Sequence, residues 1–249
     1  MSGAAARHIV AVGSGKGGVG KSTVAVHLAL ALRRRGWNVG LLDADLYGPD
    51  IPLMLNLKRE HEAKRWDFWR AGDVRLEPLE RDGLQVMSVG FLLGERQSLT
   101  LSAPLLGAAL RQLVTQVEWR ALDILLVDLP PGTADLQQQL LDVVQLAGAL
   151  VVVSPQDVAH LDARKFIDFL RGAGIRVLGG VENMSGLLCP HCGERVEVFA
   201  AGPAERLIWS DGVPLLGRIP LDPDVSDRQQ DFDDICEQLV ETLEHPAAA

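Results

Sequence analysis

The chain has 249 residues, 47% of them hydrophobic and only 5% aromatic, with a formal net charge of −9. That length holds one large α/β domain, and a core built from Ala, Val, Leu and Gly suits helices on a parallel sheet better than a β-sandwich. The acidic balance and the lack of a long Lys/Arg run argue against nucleic acid as a partner. No apolar run approaches the roughly 18 residues of a membrane span, and MSGAAARHIVAVGSG has no signal-peptide core, so a cytoplasmic location is expected, with no membrane partner.

HIVAV (8–12) predicts a buried strand entering a glycine-rich loop, and STVAVHLALALRRRG (22–36) a helix stopped by glycine. NVGLLDAD (38–45) reads as a second buried strand that ends in acids. Residues 56–83 are polar and irregular, a surface insertion in an otherwise single domain spanning 1–249. LQVMSV (84–89) is a strand, PLLGAALRQLVTQV (104–117) a helix, and LDILLVDLPPG (122–132) a strand running into a Pro-Pro-Gly turn. ALVVVSP (149–155) is a strand followed by a helix to about 171, and IRVLGGVENM (175–184) and VPLLGRIP (213–220) are the last two strands before an acidic helix at 231–244. Apolar strands alternating with helices predict a parallel sheet flanked by helices on both faces. Ligands then sit beyond the carboxyl ends of the strands, in the loops 13–22, 43–50, 128–133, 154–160, 182–186 and 220–224.

The first of those loops carries the strongest motif. Gly15-x-x-x-x-Gly20-Lys21-Ser22 matches the phosphate-binding P-loop, and it lies between a strand and a helix as that motif requires. Backbone N–H groups across Gly15, Lys16, Gly17, Gly18, Val19 and Gly20 would cradle the phosphates of ATP, aided by the positive end of the following helix. Lys21 would reach the β- and γ-oxygens, the Ser22 hydroxyl would bind Mg²⁺, and Thr23 falls near the α-phosphate. Asp128, at the end of LDILLV, is placed to hold the water shell of the Mg²⁺. Asp43 and Asp45 end the second strand. Two acids beside a triphosphate must face metal or water, so Asp43 is assigned to the metal shell and Asp45 to orienting the attacking water.

GKGGVGKST, with a second lysine at its front, resembles the deviant Walker A motif of the dimeric ATPases that include the MinD, ParA, nitrogenase-iron-protein and Mrp groups. The resemblance implies a P-loop NTPase fold, a homodimer, and a Lys16 that crosses to the partner's nucleotide as a trans cation, in the manner of an arginine finger.

Three cysteines remain: Cys189 and Cys192 in CPHCG, and Cys236 on the acidic helix, where a buried packing role is expected. The C-x-x-C pair offers two thiolates where zinc and iron–sulfur clusters want four ligands. Three readings stand at this point: a thiol redox centre, half a zinc site completed by His191 or a partner, and two chains each giving two cysteines to one [4Fe-4S] cluster on a two-fold axis. The last asks for the symmetry that Lys16 already implies.

DADLYGPDIPLML, VDLPPGT, SPQDVAHLDARK, VENMSGLLCPHCGE and VPLLGRIPLDP resemble, in order, the motifs of the Mrp/ApbC family of ATP-dependent iron–sulfur cluster carriers. The likeness covers about residues 8–224. It implies a homodimer with a labile [4Fe-4S] cluster held between Cys189 and Cys192 of each chain, slow ATP hydrolysis that gates transfer, and apo iron–sulfur proteins as acceptors. It further implies that Asn183 reads adenine and that the chain around Pro220 covers the other face of the base. The sequence departs from the family pattern at Asp50, at 101–104, at 199–203 and in the length of the 58–70 segment. A MinD- or ParA-like spatial switch with a structural zinc is the alternative, disfavoured by the acidic tail and by a CPHC turn it leaves unexplained.

Overall fold

The computed structural model describes residues 6–45, 48–57, 76–91, 103–130, 134–141, 143–189, 191–222 and 228–245. Among the described residues, nine strands form one sheet: β1 (Ala6–Gly13), β2 (Val39–Asp43), β3 (Leu79–Arg81), β4 (Leu84–Ser88), β5 (Leu122–Asp128), β6 (Gly148–Val153), β7 (Val177–Leu188), β8 (Arg195–Val196) and β9 (Leu215–Leu221). The run β4-β2-β5-β1-β6-β7-β9 is parallel throughout, while β3 and β8 are antiparallel additions to β4 and β7. Every residue of β2, β4 and β6 is buried. That is why these strands read as mostly apolar runs and not as alternating ones.

The helices are α1 (Lys21–Arg34), α2 (Ile51–Met54), α3 (Ala103–Thr115), α4 (Ala134–Leu141), α5 (Asp157–Gly172) and α6 (Gln229–Glu244). α5 packs on β6 and β7, α6 on β7 and β9, and α1 on β2 and β5 and against α6. Gly36 (φ 88°) terminates α1 in the left-handed conformation, and the Trp37 amide returns to the Leu32 carbonyl at 3.2 Å. The result is a mostly parallel sheet covered by helices, as the alternation of apolar segments predicts. No helix among the described residues is long and apolar enough to cross a membrane.

Two expectations need correction. Residues 182–186 do not form a loop: β7 continues through Leu188, with an irregularity between Asn183 and Leu187 where Met184 (φ 59°) and Gly186 (φ 83°) take left-handed backbone. A bulge of this kind lets a strand carry turn-type residues and still hold its pairing. The end of the 56–83 segment is sheet, too. Leu76 bridges Val117, and β3 turns into β4 through Asp82 (φ 51°) and Gly83 (φ 77°), the two positive φ angles of a type I′ hairpin. Residues 58–75 lie outside the described part, as do 101–102, 131–133 and 223–224.

The registers set up the site. Ser88, Asp43, Asp128, Val12 and Leu150 are successive partners across β4, β2, β5, β1 and β6, the first four at or next to the carboxyl ends of their strands. In-register residues of neighbouring parallel strands point to the same face, so Asp43 and Asp128 are forced side by side.

Candidate functional site

The P-loop runs from the end of β1 at Gly13 to the start of α1 at Lys21. Its glycines stand in different surroundings. Gly18 (φ 79°) and Gly20 (φ 83°) are left-handed. A Cβ on Gly15 would lie 2.2 Å from the backbone carbon of Asp162 in α5, and one on Gly20 would lie 2.1 Å from Asn183 Nδ2. Gly17 faces open space, with nothing within 4 Å. The loop is thus clamped by α5 at its front and by β7 at its back, and its middle is open. A bare backbone arc at a helix N-terminus is the cradle a phosphate needs. Val19 is buried, and its carbonyl accepts from Asn183 Nδ2 at 2.9 Å; Thr23 is half-buried in the first turn of α1.

Asp128 is fully buried, and both of its oxygens are used. Lys21 Nζ donates to Oδ1 at 2.6 Å, and Ser22 Oγ to Oδ2 at 2.6 Å. Asp43, also fully buried, accepts from Ser88 Oγ at 2.8 Å and from the Asp45 amide at 3.1 Å. Burial raises the Asp43 pKa well above the ordinary carboxylate value, and the negative charge of Asp128 raises it further. Burial also raises Asp128, but Lys21 and Ser22 oppose the shift. Lys21 and Ser22 thus favour the charged form of Asp128, whereas burial and the neighbouring Asp128 disfavour it at Asp43. A hydroxyl and two carboxylates on one face form the all-oxygen donor set that Mg²⁺ prefers. Asp45 is buried, and its Oδ1 accepts from the Gly48 amide at 3.1 Å.

Lys16 is half-buried and donates to Gln156 Oε1 at 3.2 Å, within its own chain. Asn183 on β7 is opposite Ile219 on β9, which puts Pro220 one residue beyond that pair. The structure so brings together the P-loop, Asp43, Asp45, Asp128 and Asn183, with Pro220 on the neighbouring strand. It adds two residues that sequence reasoning missed. Ser88, a lone hydroxyl at the end of an apolar strand, fixes Asp43. Gln156, in the 154–160 loop, receives Lys16. A cavity of about 1170 Å³ lies elsewhere, at the amino ends of β1 and β5, lined by Ala6, Val117, Trp119 and Val144 among others. It holds none of the phosphate-binding groups.

The C-x-x-C turn directly follows β7. The Cys189 amide donates to the Glu194 carbonyl and the Gly193 amide to the Cys189 carbonyl, each at 2.8 Å, closing a knuckle with Gly193 at φ 72°. Amides of Cys192 and His191 point at the Cys189 sulfur and, with the Cys192 thiol, hold its pKa below the usual thiol value. Cys189 is half-buried and Cys192 exposed. No group of three or more metal-ligating side chains occurs among the described residues, and the knuckle itself supplies two of the four ligands that zinc or an iron–sulfur cluster wants. Cys236 is fully buried on α6, where burial pushes its thiol up to about 11.

The model of the NUBPL iron-transfer P-loop NTPases, within the ParA group, matches residues 5–247. The chain belongs to this family. Among NUBPL-type relatives, the iron-sulfur cluster carrier protein of Aquifex aeolicus is 44% identical over 89% of this chain and 60% of its own length. The cytosolic Fe-S cluster assembly factor NUBP2 of Bos taurus is 44% identical over 98% of this chain and 90% of its own. The chain therefore spans less than two thirds of the bacterial carrier but most of the bovine factor. A nucleotide-binding protein from Archaeoglobus fulgidus, solved in complex with ADP, superposes with a TM-score of 0.73 at 34% identity, covering 97% of this chain and 93% of that one. The cell division ATPase MinD of Pyrococcus furiosus, at 22% identity and a TM-score of 0.62, shares the fold.

Proposed function

We propose that the chain is an ATP-dependent iron–sulfur cluster carrier. Two copies hold a labile [4Fe-4S] cargo between their C-x-x-C turns and pass it to apo iron–sulfur proteins, with slow ATP hydrolysis gating the cycle. The observation that carries this reading is a two-thiol knuckle at the end of the strand whose Asn183 side chain touches the P-loop. Nucleotide chemistry and cargo binding share one structural element. An incomplete ligand set fits a site completed by symmetry, because a two-fold axis doubles two cysteines into four ligands.

In this reading Lys21 and the amides of 15–20 bind the ATP phosphates. Ser22, Asp43 and Asp128 hold Mg²⁺, which would polarise the γ-phosphoryl group. Asp45 orients the attacking water, Lys16 serves the partner's nucleotide, and Asn183 and Pro220 bracket the adenine. Binding of nucleotide would detach Lys21 and Ser22 from Asp128, exchanging an internal ion pair for phosphate and metal contacts. The relatives NUBP2 and CFD1 are named as cytosolic factors, which supports a cytoplasmic location.

The test is anaerobic reconstitution with iron and sulfide, followed by size-exclusion chromatography, metal analysis and Mössbauer spectroscopy of the eluted peak. The expected result is about four irons per two chains with a [4Fe-4S] signature. Tightly held zinc with no iron would overturn the carrier reading and give the knuckle a structural role.

A further inference from the structure

Lys16 is held inside its own chain. Its amine donates to Gln156 Oε1, and both ends of that bond are anchored. On one side, Gly15 is pressed against the backbone of α5 so tightly that a Cβ would lie 2.2 Å from it. On the other, Gln156 occupies the N-cap position of α5, its carbonyl accepting from the amides of Ala159 and His160 at 2.9 and 3.3 Å. Its backbone is bridged to Ala201, and the Gly202 amide reaches the Pro155 carbonyl at 3.4 Å.

The choice of residue matters. An N-cap side chain ordinarily turns inward to accept an amide of the first turn. Gln156 makes no such bond. The adjacent acid, Asp157, gives Oδ2 to Arg206 at 2.9 Å, while its Oδ1 is buried without a hydrogen-bond partner, and Lys16 is bonded to the amide of Gln156 instead. The acceptor is a neutral amide oxygen, which binds an ammonium more weakly than a carboxylate does. Such a contact holds a lysine in place and still lets it leave.

We propose that Gln156 is a dock that keeps Lys16 on its own chain, and that release from this dock sets how readily two copies engage each other's nucleotide. Gln156 is a positioning residue here, acting through Lys16. The consequence for association rests on the trans role of Lys16 put forward above; the dock itself does not.

Two substitutions with opposite signs test it. Gln156→Ala removes the acceptor, while Gln156→Glu replaces it with a charged one that also suits a helix N-terminus. In the nucleotide-free chain, reductive methylation read by peptide mass spectrometry should show Lys16 about threefold or more faster in Gln156→Ala and slower in Gln156→Glu, with Lys165 as an unchanged internal control. With ATP and Mg²⁺, sedimentation equilibrium and single-turnover hydrolysis should show association and rate rising about threefold or more in the Ala variant and falling in the Glu variant. Binding of a fluorescent ADP analogue verifies that both variants are folded.

Equal Lys16 reactivity in all three proteins would overturn the dock. Reactivity that shifts while association and hydrolysis stay fixed, or fall alike in both variants, would overturn its control of pairing. A parent protein that neither associates nor hydrolyses with ATP would sink the carrier reading, and the methylation result would still decide the dock.

Discussion

Cysteine reactivity follows the thiolate, and the thiols of this chain stand in opposed surroundings. Backbone amides stabilise the Cys189 thiolate in an open turn, while the Cys236 thiol is sealed in the core with its pKa at about 11. Alkylation with iodoacetamide at neutral pH should therefore modify Cys189 and Cys192 at least about 100-fold faster than Cys236, which should react only on unfolding. Peptide mass spectrometry over time reads this directly. The acids can be separated in the same way. Because folding raises the Asp43 pKa, its contribution to stability is fully present below the ordinary carboxylate value of 3.8 and is lost as pH rises through the raised pKa. Asp43→Asn should remove that loss. In the nucleotide-free protein it should add about 1 kcal/mol or more at neutral and alkaline pH, roughly 2–4 °C in Tm, while abolishing Mg²⁺-dependent hydrolysis. Thermal melts at several pH values check the first part: a variant whose Tm gain is the same at all of them would refute the buried-acid account.

At the scale of elements, the loop is held by what it touches. Gly15→Ala would drive a methyl into the α5 backbone, so it should weaken nucleotide binding more than about tenfold and lower Tm. Gly17→Ala meets nothing within 4 Å and should leave Tm within about 1 °C. Calorimetric titration with ADP and thermal melts of the two variants make the comparison. The same contrast explains what was legible in the sequence. Strands such as LDILLV and the glycine–lysine motif are local patterns, so the parallel sheet and the P-loop could be read off. The pairings that finish the site are not local: Lys21 meets Asp128 across 107 residues, Lys16 meets Gln156 across 140, and Asn183 meets Val19 across 164. No pattern of spacing encodes them. NMSG at 183–186 has turn composition, which hid the continuation of β7, since a bulge tolerates the residues a turn prefers. The Asp82-Gly83 hairpin went unread because it closes a polar stretch that reads as a surface insertion.

For the whole molecule, the decisive matter is whether the knuckle works alone. In the proposed reading, two thiols on one chain, with no third ligand among the described residues, would make cargo binding a property of a pair. A site within one chain and a site shared by two differ in how they dilute. If chains carrying both Cys189→Ser and Cys192→Ser are mixed with parent chains and allowed to exchange before reconstitution, a mixed pair has only two of the four sulfurs. At a 1:1 ratio, a shared site should then retain about a quarter of the cluster that the same total of parent chains would hold, following the square of the parent fraction, whereas a site within one chain would retain about half. Iron content and visible absorbance across a series of ratios separate a quadratic from a linear dependence, and the mutant chains remain competent to bind nucleotide because none of the changed residues lies in the P-loop. A linear result would mean that each knuckle recruits its missing ligands from elsewhere, and the two-fold arrangement would have to be abandoned for the cargo even if ATP still pairs the chains.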